Sequence, residues 1–163
     1  MMDALILTVI LTSIPLILAA TGELIAERSG VLNLGVEGMM LMGAVAAFAI
    51  TSLSGNPYFG VMTAAAAGAL TAAIFAFFTL GLATNQVATG LALTIFGTGL
   101  SGLVGAPFVG GTVDGLQAVS IPVLSDLPVL GGLLFELDLL AYGAFVMLAL
   151  IAWFLYKSRA GLI

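Results

Sequence analysis

Apolar residues fill five long runs, Ala4–Ala20, Val31–Leu53, Tyr58–Leu82, Val87–Val104 and Leu139–Tyr156, and polar residues gather mostly between them. A helix needs about 20 apolar residues to cross a bilayer core, and each run is close to that length. The runs lack the period-2 alternation of barrel strands and are too long for them. The expected fold is therefore all-α: a polytopic transmembrane helical bundle of about five spans, with residues 1–163 forming a single transmembrane domain. Ser54-Gly55-Asn56-Pro57 reads as a turn, because Gly and Asn accept left-handed angles and Pro removes a backbone donor. Thr84-Asn85-Gln86 reads as a short polar corner. With Thr89 it could meet a cytoplasmic partner or cap the fourth helix, and capping is the simpler role. Gly105–Asp138 is the one long connection. It holds Pro107, Pro122 and Pro128 with Asp114, Asp126, Glu136 and Asp138, and its middle, Val119–Leu134, is apolar enough to lie at the interface or pack back on the bundle.

Composition turns the pattern into a class. The chain is 62% hydrophobic and 7% charged, and its mean hydropathy is +1.30. Three basic and 8 acidic residues cannot cover a soluble surface of 163 residues, so an integral membrane protein is expected. No basic patch is available for nucleic acid. The chain has neither Cys nor His, which excludes disulfides, thiolate catalysis and His-based triads or metal sites, and no metal or catalytic residue is expected. Ala4–Ala20 ends in Leu-Ala-Ala and resembles a secretory signal, but Asp3 is the only charge before Glu23. A signal needs a positive n-region, so a retained helix is the expectation.

Basic residues favour the cytoplasmic side of a membrane. Lys157 and Arg159 follow the last run and are placed inside. Counting back across the spans puts the Gly105–Asp138 loop outside, the Asn85 corner inside, Arg28 inside and the N-terminus outside. Arg28, Lys157 and Arg159 thus act as cytoplasmic anchors.

The scarce charge is concentrated in one place. Glu23, Glu27, Arg28 and Glu37 all fall within Gly22–Gly43. Glu23 and Glu27 are spaced i,i+4 and would share a face of a continuous helix, which suits acid–base work or a cation site. A solvated cytoplasmic corner, with Glu27 beside Arg28, explains them more simply. Glu136 and Asp138, at the outer end of the last run, are read the same way. Asn33 and Glu37 are also spaced i,i+4, among Gly30, Gly35 and Gly38. Glycines at that density loosen a helix and expose its amides and carbonyls, as in the broken helices of transporters. Asn33, Gly35, Glu37 and Gly38 are therefore candidates for lining a substrate pathway, against the alternative of an ordinary interfacial start to a span with Glu37 reaching water.

Small residues mark helix contacts. Gly60, Ala64, Gly68, Ala72 and Ala76 recur every four residues, a spacing that lets helix backbones approach closely in a membrane. Packing within the bundle is the first expectation and a homodimer seam the sharper one. Gly97-Thr98-Gly99-Leu100-Ser101-Gly102 matches the dinucleotide fingerprint letter for letter. That fingerprint needs a preceding strand and a following helix in a soluble βαβ unit, so here Gly97, Gly99 and Gly102 are assigned to helix packing.

Glu27-Arg28-Ser29-Gly30-Val31-Leu32-Asn33-Leu34-Gly35-Val36-Glu37-Gly38-Met39-Met40 closely resembles the signature of ABC-importer permeases of the ribose, nucleoside and branched-chain amino acid type, with the nucleoside, simple-sugar branch nearest. Asn85-Gln86-Val87-Ala88-Thr89-Gly90-Leu91-Ala92-Leu93 resembles that family's next segment, and Tyr156-Lys157-Ser158-Arg159-Ala160-Gly161-Leu162 its basic exit from the fifth helix. The resemblance implies a multi-pass permease subunit in the plasma membrane of a prokaryote, moving a nucleoside or simple-sugar-type solute inward by alternating access. It also implies a second permease (homo- or heterodimer), cytoplasmic ATPase subunits and an extracellular substrate-binding protein as partners. The chain itself would be a transport subunit and not an enzyme. ATP and Mg would be bound by the ATPase subunits, in keeping with the lack of a Walker pattern here. On that resemblance the Asn33–Gly38 segment would line the route between the two permeases and the Gly105–Asp138 loop would face the binding protein. Family members continue well beyond the point matched by Gly161-Leu162, so residues 1–163 are expected to be the N-terminal part of a longer family domain, as a truncated product, a fragment, or a chain whose other half is supplied separately. A passive channel or facilitator for a small polar solute, with Asn33 and Glu37 lining a pore, and a truncated non-transporting remnant are the alternatives.

Overall fold

The computed structural model describes residues 2–120 and 136–158. Among the described residues, five helices are long and apolar enough to cross a membrane. They are α1 (Met2–Arg28), α2 (Val36–Ser54), α3 (Pro57–Ala76), α4 (Gln86–Gly105) and α5 (Leu139–Lys157). A π-helical turn, Phe77–Gly81, prolongs α3, and a 3₁₀ turn, Ala106–Phe108, prolongs α4. The long connection also carries an antiparallel ribbon of β1 (Ala118–Ser120) and β2 (Glu136–Asp138), with Val119 opposite Leu137. The rest of its apolar middle, including Pro122, Asp126 and Pro128, lies outside the described residues, as does Arg159. By its contacts the chain divides into two compact units, Met1–Ile25 with Leu116–Ile163, and Ala26–Gly115.

Two element bounds differ from the hydropathy reading. The first helix does not end near Ala20. It continues through Glu23 and Glu27 to Arg28, so these charges form its last turns and not a corner between helices. Leu24, Ala26 and the two glutamates are good helix formers, and Arg28 sits where a cation complements the helix dipole. The stop comes at Gly30, whose φ of +79° is a left-handed conformation suited to glycine. Val31 N–H donates to Ala26 O at 3.0 Å and Gly30 N–H to Glu27 O at 2.9 Å, the paired bonds of a Schellman cap. The second difference is that Val31–Gly35, though apolar, is not helical; α2 starts at Val36 with Gly35 as its N-cap.

The turns follow the local chemistry. Gly55 ends α2 at φ +68°, donating to Thr51 O at 2.8 Å. Asn56 Oδ1 accepts from Tyr58 N–H at 2.9 Å, and Pro57 occupies the first helical position of α3, where a missing N–H costs nothing. Asn85 Oδ1 accepts from Ala88 N–H at 3.0 Å and caps α4.

In the unit Ala26–Gly115, α2 packs along both α3 and α4, while α3 and α4 touch each other little. The buried positions are mostly small, Gly38, Gly43, Ala49 and Thr51 on α2, Gly60 and Thr71 on α3, Gly90 and Gly97 on α4, with Phe75 on α3 and Leu93 on α4 as large exceptions. Large apolar side chains such as Leu53, Ile95 and Leu103 point outward, each 74% exposed. Small inside and large apolar outside inverts the soluble arrangement and suits a lipid solvent, where close backbone packing replaces hydrophobic burial. In the other unit, Ile14, Leu137, Ala141 and Ala144 form a core, with Leu7, Ile10, Leu18 and Tyr142 against it. Asp138 is not simply a solvated end charge: its Oδ1 caps α5 by accepting from Ala141 N–H at 2.7 Å. Tyr142 Oη accepts from Leu137 N–H at 3.3 Å and donates to Val119 O at 3.4 Å, tying α5 to both strands.

Candidate functional site

The non-helical stretch between α1 and α2 lies along one face of α4. Backbone groups without helical bonding must find partners in side chains or water. Leu32 N–H donates to Gln86 Oε1 at 2.7 Å, and Gln86 Nε2 donates to Gly30 O at 3.5 Å. Thr94 Oγ1 donates to Leu34 O at 2.9 Å. Between these side chains there is no room for any other: a Cβ on Gly90 would lie 2.8 Å from Leu34 N and 2.9 Å from Gly35 N. Two turns further along, a Cβ on Gly97 would lie 2.7 Å from Gly38 Cα, and one on Gly38 would lie 2.6 Å from Leu93 O. Gln86, Gly90, Leu93, Thr94 and Gly97 follow helical spacing and so line a single stripe of α4.

Asn33 is half-buried and works locally. Its Oδ1 accepts from Gly35 N–H at 2.9 Å, and its Nδ2 lies 3.6 Å from Met39 Sδ, close enough to donate. The bond to Gly35 makes an Asx turn that leads the chain into α2. Because the helix begins only at Val36, Asn33 and Glu37 are not successive positions on one helical face. Glu37 is exposed in the first turn of α2, where a carboxylate complements the helix dipole. The structure thus brings Gly35 and Gly38 against α4, with Asn33 bonded to Gly35, and leaves Glu37 on an exposed face.

Of the other positions singled out from the sequence, Gly60 is the close approach of α3 to α2: a Cβ there would strike Thr51 Oγ1 and come 2.8 Å from Ala47 O. Ala64 faces Gly43, with Ala64 O 3.4 Å from where a Gly43 Cβ would sit. A Cβ on Gly68, Gly99 or Gly102 would meet nothing within 4 Å, and Ala72 is exposed. Gly97–Gly102 lies wholly inside α4, with no strand before it. Arg28 and Lys157 are exposed in the last turns of α1 and α5.

Gly90 and Thr94 carry no site signal of their own in the sequence, and Gln86 reads there only as part of the polar corner at Asn85. The readable signal is their spacing with Gly97 on one stripe; their partners, 54 to 60 residues away, are not readable locally. Beside the stripe, an apolar groove of about 400 Å³ opens between Ile74, Phe75 and Phe78 of α3 and its π turn and Thr89, Ala92, Leu93 and Phe96 of α4. Its one polar side chain, Thr89, donates to Asn85 O at 2.8 Å and lies 2.9 Å from the Thr84 hydroxyl.

Residues 5–163 match the family model described as branched-chain amino acid transport system / permease component. The chain is 41% identical over 151 residues to a Haloferax volcanii protein named "putative glucose ABC transporter permease protein", covering 90% of this chain and 46% of that protein. It is 32% identical over 160 residues to the guanosine ABC transporter permease protein of Bacillus subtilis, covering 91% of this chain and 50% of that one. It is 27% identical over 172 residues to the nucleoside ABC transporter permease protein of Lactococcus lactis subsp. cremoris, covering 99% and 54%. The chain therefore spans about half the length of the relatives it matches. No solved structure matches it. With its five membrane-length helices and a family match that runs from residue 5 to residue 163, this chain belongs to the branched-chain amino acid transport system permease family.

Proposed function

We propose that this chain supplies part of a permease subunit in an ATP-driven importer, carrying a nucleoside or simple-sugar-type solute into the cytoplasm by alternating access. The observation that carries the reading is the family match across residues 5–163, together with relatives named for glucose, guanosine and nucleosides. The subunit pairs with a second permease in the plasma membrane of a prokaryote, with its N-terminus outside and Arg28, Lys157 and Arg159 at the cytoplasmic face. ATP and Mg are held by separate ATPase subunits, and a binding protein delivers solute from outside. The Asn33–Gly38 segment lines the route, with Glu37 turned toward it. Support for that placement comes from its non-helical backbone, which a membrane tolerates only where protein or a water-filled path surrounds it.

The test is uptake of labelled guanosine, uridine and glucose by cells that express the intact permease with its ATPase and binding protein. Uptake should stop when ATP is depleted, and one of the three solutes should compete out the others. Glu37→Gln should lower the uptake rate while leaving the protein in the membrane. Uptake indifferent to ATP depletion would overturn the reading.

A further inference from the structure

We infer that Gln86 and Thr94 are positioning residues for transport: a side-chain latch on α4 that holds the Gly30–Gly35 segment in place and, through it, the start of α2. The inference rests on the permease reading above. Its starting point is how these two side chains use their polar atoms. Thr71, Thr79 and Thr98 each donate to the carbonyl four residues back in their own helical segment, at 2.8 to 2.9 Å. Such back-bonding satisfies a hydroxyl without leaving the helix. Thr94 instead spends its hydroxyl on Leu34 O. Gln86 spans the stretch further up, accepting from Leu32 N–H and donating to Gly30 O.

The latch matters because of what it replaces. Ser29, Gly30 and Val31 bond back to the end of α1, and Met39 N–H bonds to Gly35 O within α2. Leu32 and Leu34 lie between those two ladders, and it is their backbone groups that α4 serves. Helical ladders are cooperative, whereas side-chain bonds to a single strand of backbone break one at a time. The contact beneath them is largely backbone, Gly90 against Leu34 and Gly35, with one α4 side chain, Leu93, packed at Gly35. The segment is therefore fixed mainly by directional bonds over a seat with little side-chain interlock. An element held in this way can occupy two positions, latched and released, without unfolding either neighbouring helix, as alternating access requires.

The experiment uses the intact permease in its membrane complex. This chain contains no Cys, so Val31→Cys, at a half-buried position, gives one defined maleimide target in it. Thr94→Val keeps the shape and removes the hydroxyl, Thr94→Ser keeps the hydroxyl, and Gln86→Leu removes the second arm. Labelling of the Val31→Cys chain should speed up about fivefold with Thr94→Val, the factor carried by one lost hydrogen bond of typical net strength. Thr94→Ser should restore the slow rate. In parallel, Thr94→Val and Gln86→Leu should lower maximal ATP-dependent uptake by a similar factor with little change in KM, and Thr94→Ser should recover it. Because Gln86→Leu tests the same latch at a different point, failure of one variant to assemble leaves the other decisive. Unchanged labelling in both variants overturns the latch. Faster labelling with undiminished uptake overturns its role in transport. If the wild-type complex shows no ATP-dependent uptake, the permease reading falls instead, and the labelling comparison still decides the latch.

Discussion

Adding one methyl group to Gly97 should loosen the α2–α4 crossing, and the same methyl two residues later should not. A Cβ on Gly97 would sit 2.7 Å from both Cα and O of Gly38. Carbon atoms in contact need about 3.5 to 4.0 Å, so the two helices would have to part by roughly 1 Å. Both obstructing atoms are backbone, and no rotamer change can move them aside. Overpacking of this kind costs about 1–3 kcal/mol. Alanine regains about 1 kcal/mol of helix propensity over glycine, which partly offsets that loss. Gly99 lies in the same helix with nothing within 4 Å of its added Cβ, so Gly99→Ala receives the propensity gain alone. The difference between the two variants thus isolates the packing term, and Gly97→Ala should be less stable than Gly99→Ala by about 1–3 kcal/mol. The measurement is the free energy of unfolding in mixed micelles titrated with sodium dodecyl sulfate, followed by circular dichroism. Equal stability of the two alanine variants would refute the close approach of Gly38 and Gly97.

The same comparison on α3 sets Gly60→Ala, which would strike Thr51 and Ala47, against Gly68→Ala, which meets open space. Only the first should destabilise the protein in the micelle titration, by about 1–3 kcal/mol. Asn85→Ala removes the cap on α4 and should cost about 0.5–2 kcal/mol, visible as faster hydrogen exchange at the Ala88 amide. Gly30→Ala forces a Cβ into a left-handed turn at φ +79° and should cost about 1–2 kcal/mol, whereas Gly30→Asn, a residue that tolerates that region, should cost less in the same titration. Ala83 is held at φ +51°, so Ala83→Gly should raise stability by about 1 kcal/mol, measured by thermal unfolding in detergent.

Five spans were legible because bilayer thickness sets a length that apolar runs must meet. The turn Ser54–Pro57 and the Asn85 cap were legible because Asn, Gly and Pro act on their immediate neighbours. Hydropathy failed where charge and helix structure part company. Glu23, Glu27 and Arg28 end the apolar run but continue α1, since charged side chains are good helix formers at an interface. It failed in the opposite sense at Val31–Gly35, where apolar residues are not helical because a Schellman cap and an Asx turn redirect the chain. The ribbon of three-residue strands was too short to leave a periodic signature. At the candidate site, Asn33, Gly35 and Gly38 stood out by their density. Gln86 was legible only as part of the polar corner at Asn85 and Thr94 not at all, since neither residue announces which distant carbonyl or amide it serves.

The meeting of Gly38 with Gly97 also bears on how the two helices can move. Where side-chain ridges lie in grooves, a change of crossing angle forces the ridges to climb out of register. At this point there are no ridges, only two backbones in contact. Separation is resisted by the loss of close contact, and Val45, beside Gly105 two turns further on, obstructs rotation about the point. The crossing is stiff in both distance and angle, so from Gly38 onward α2 and α4 are expected to move as one body.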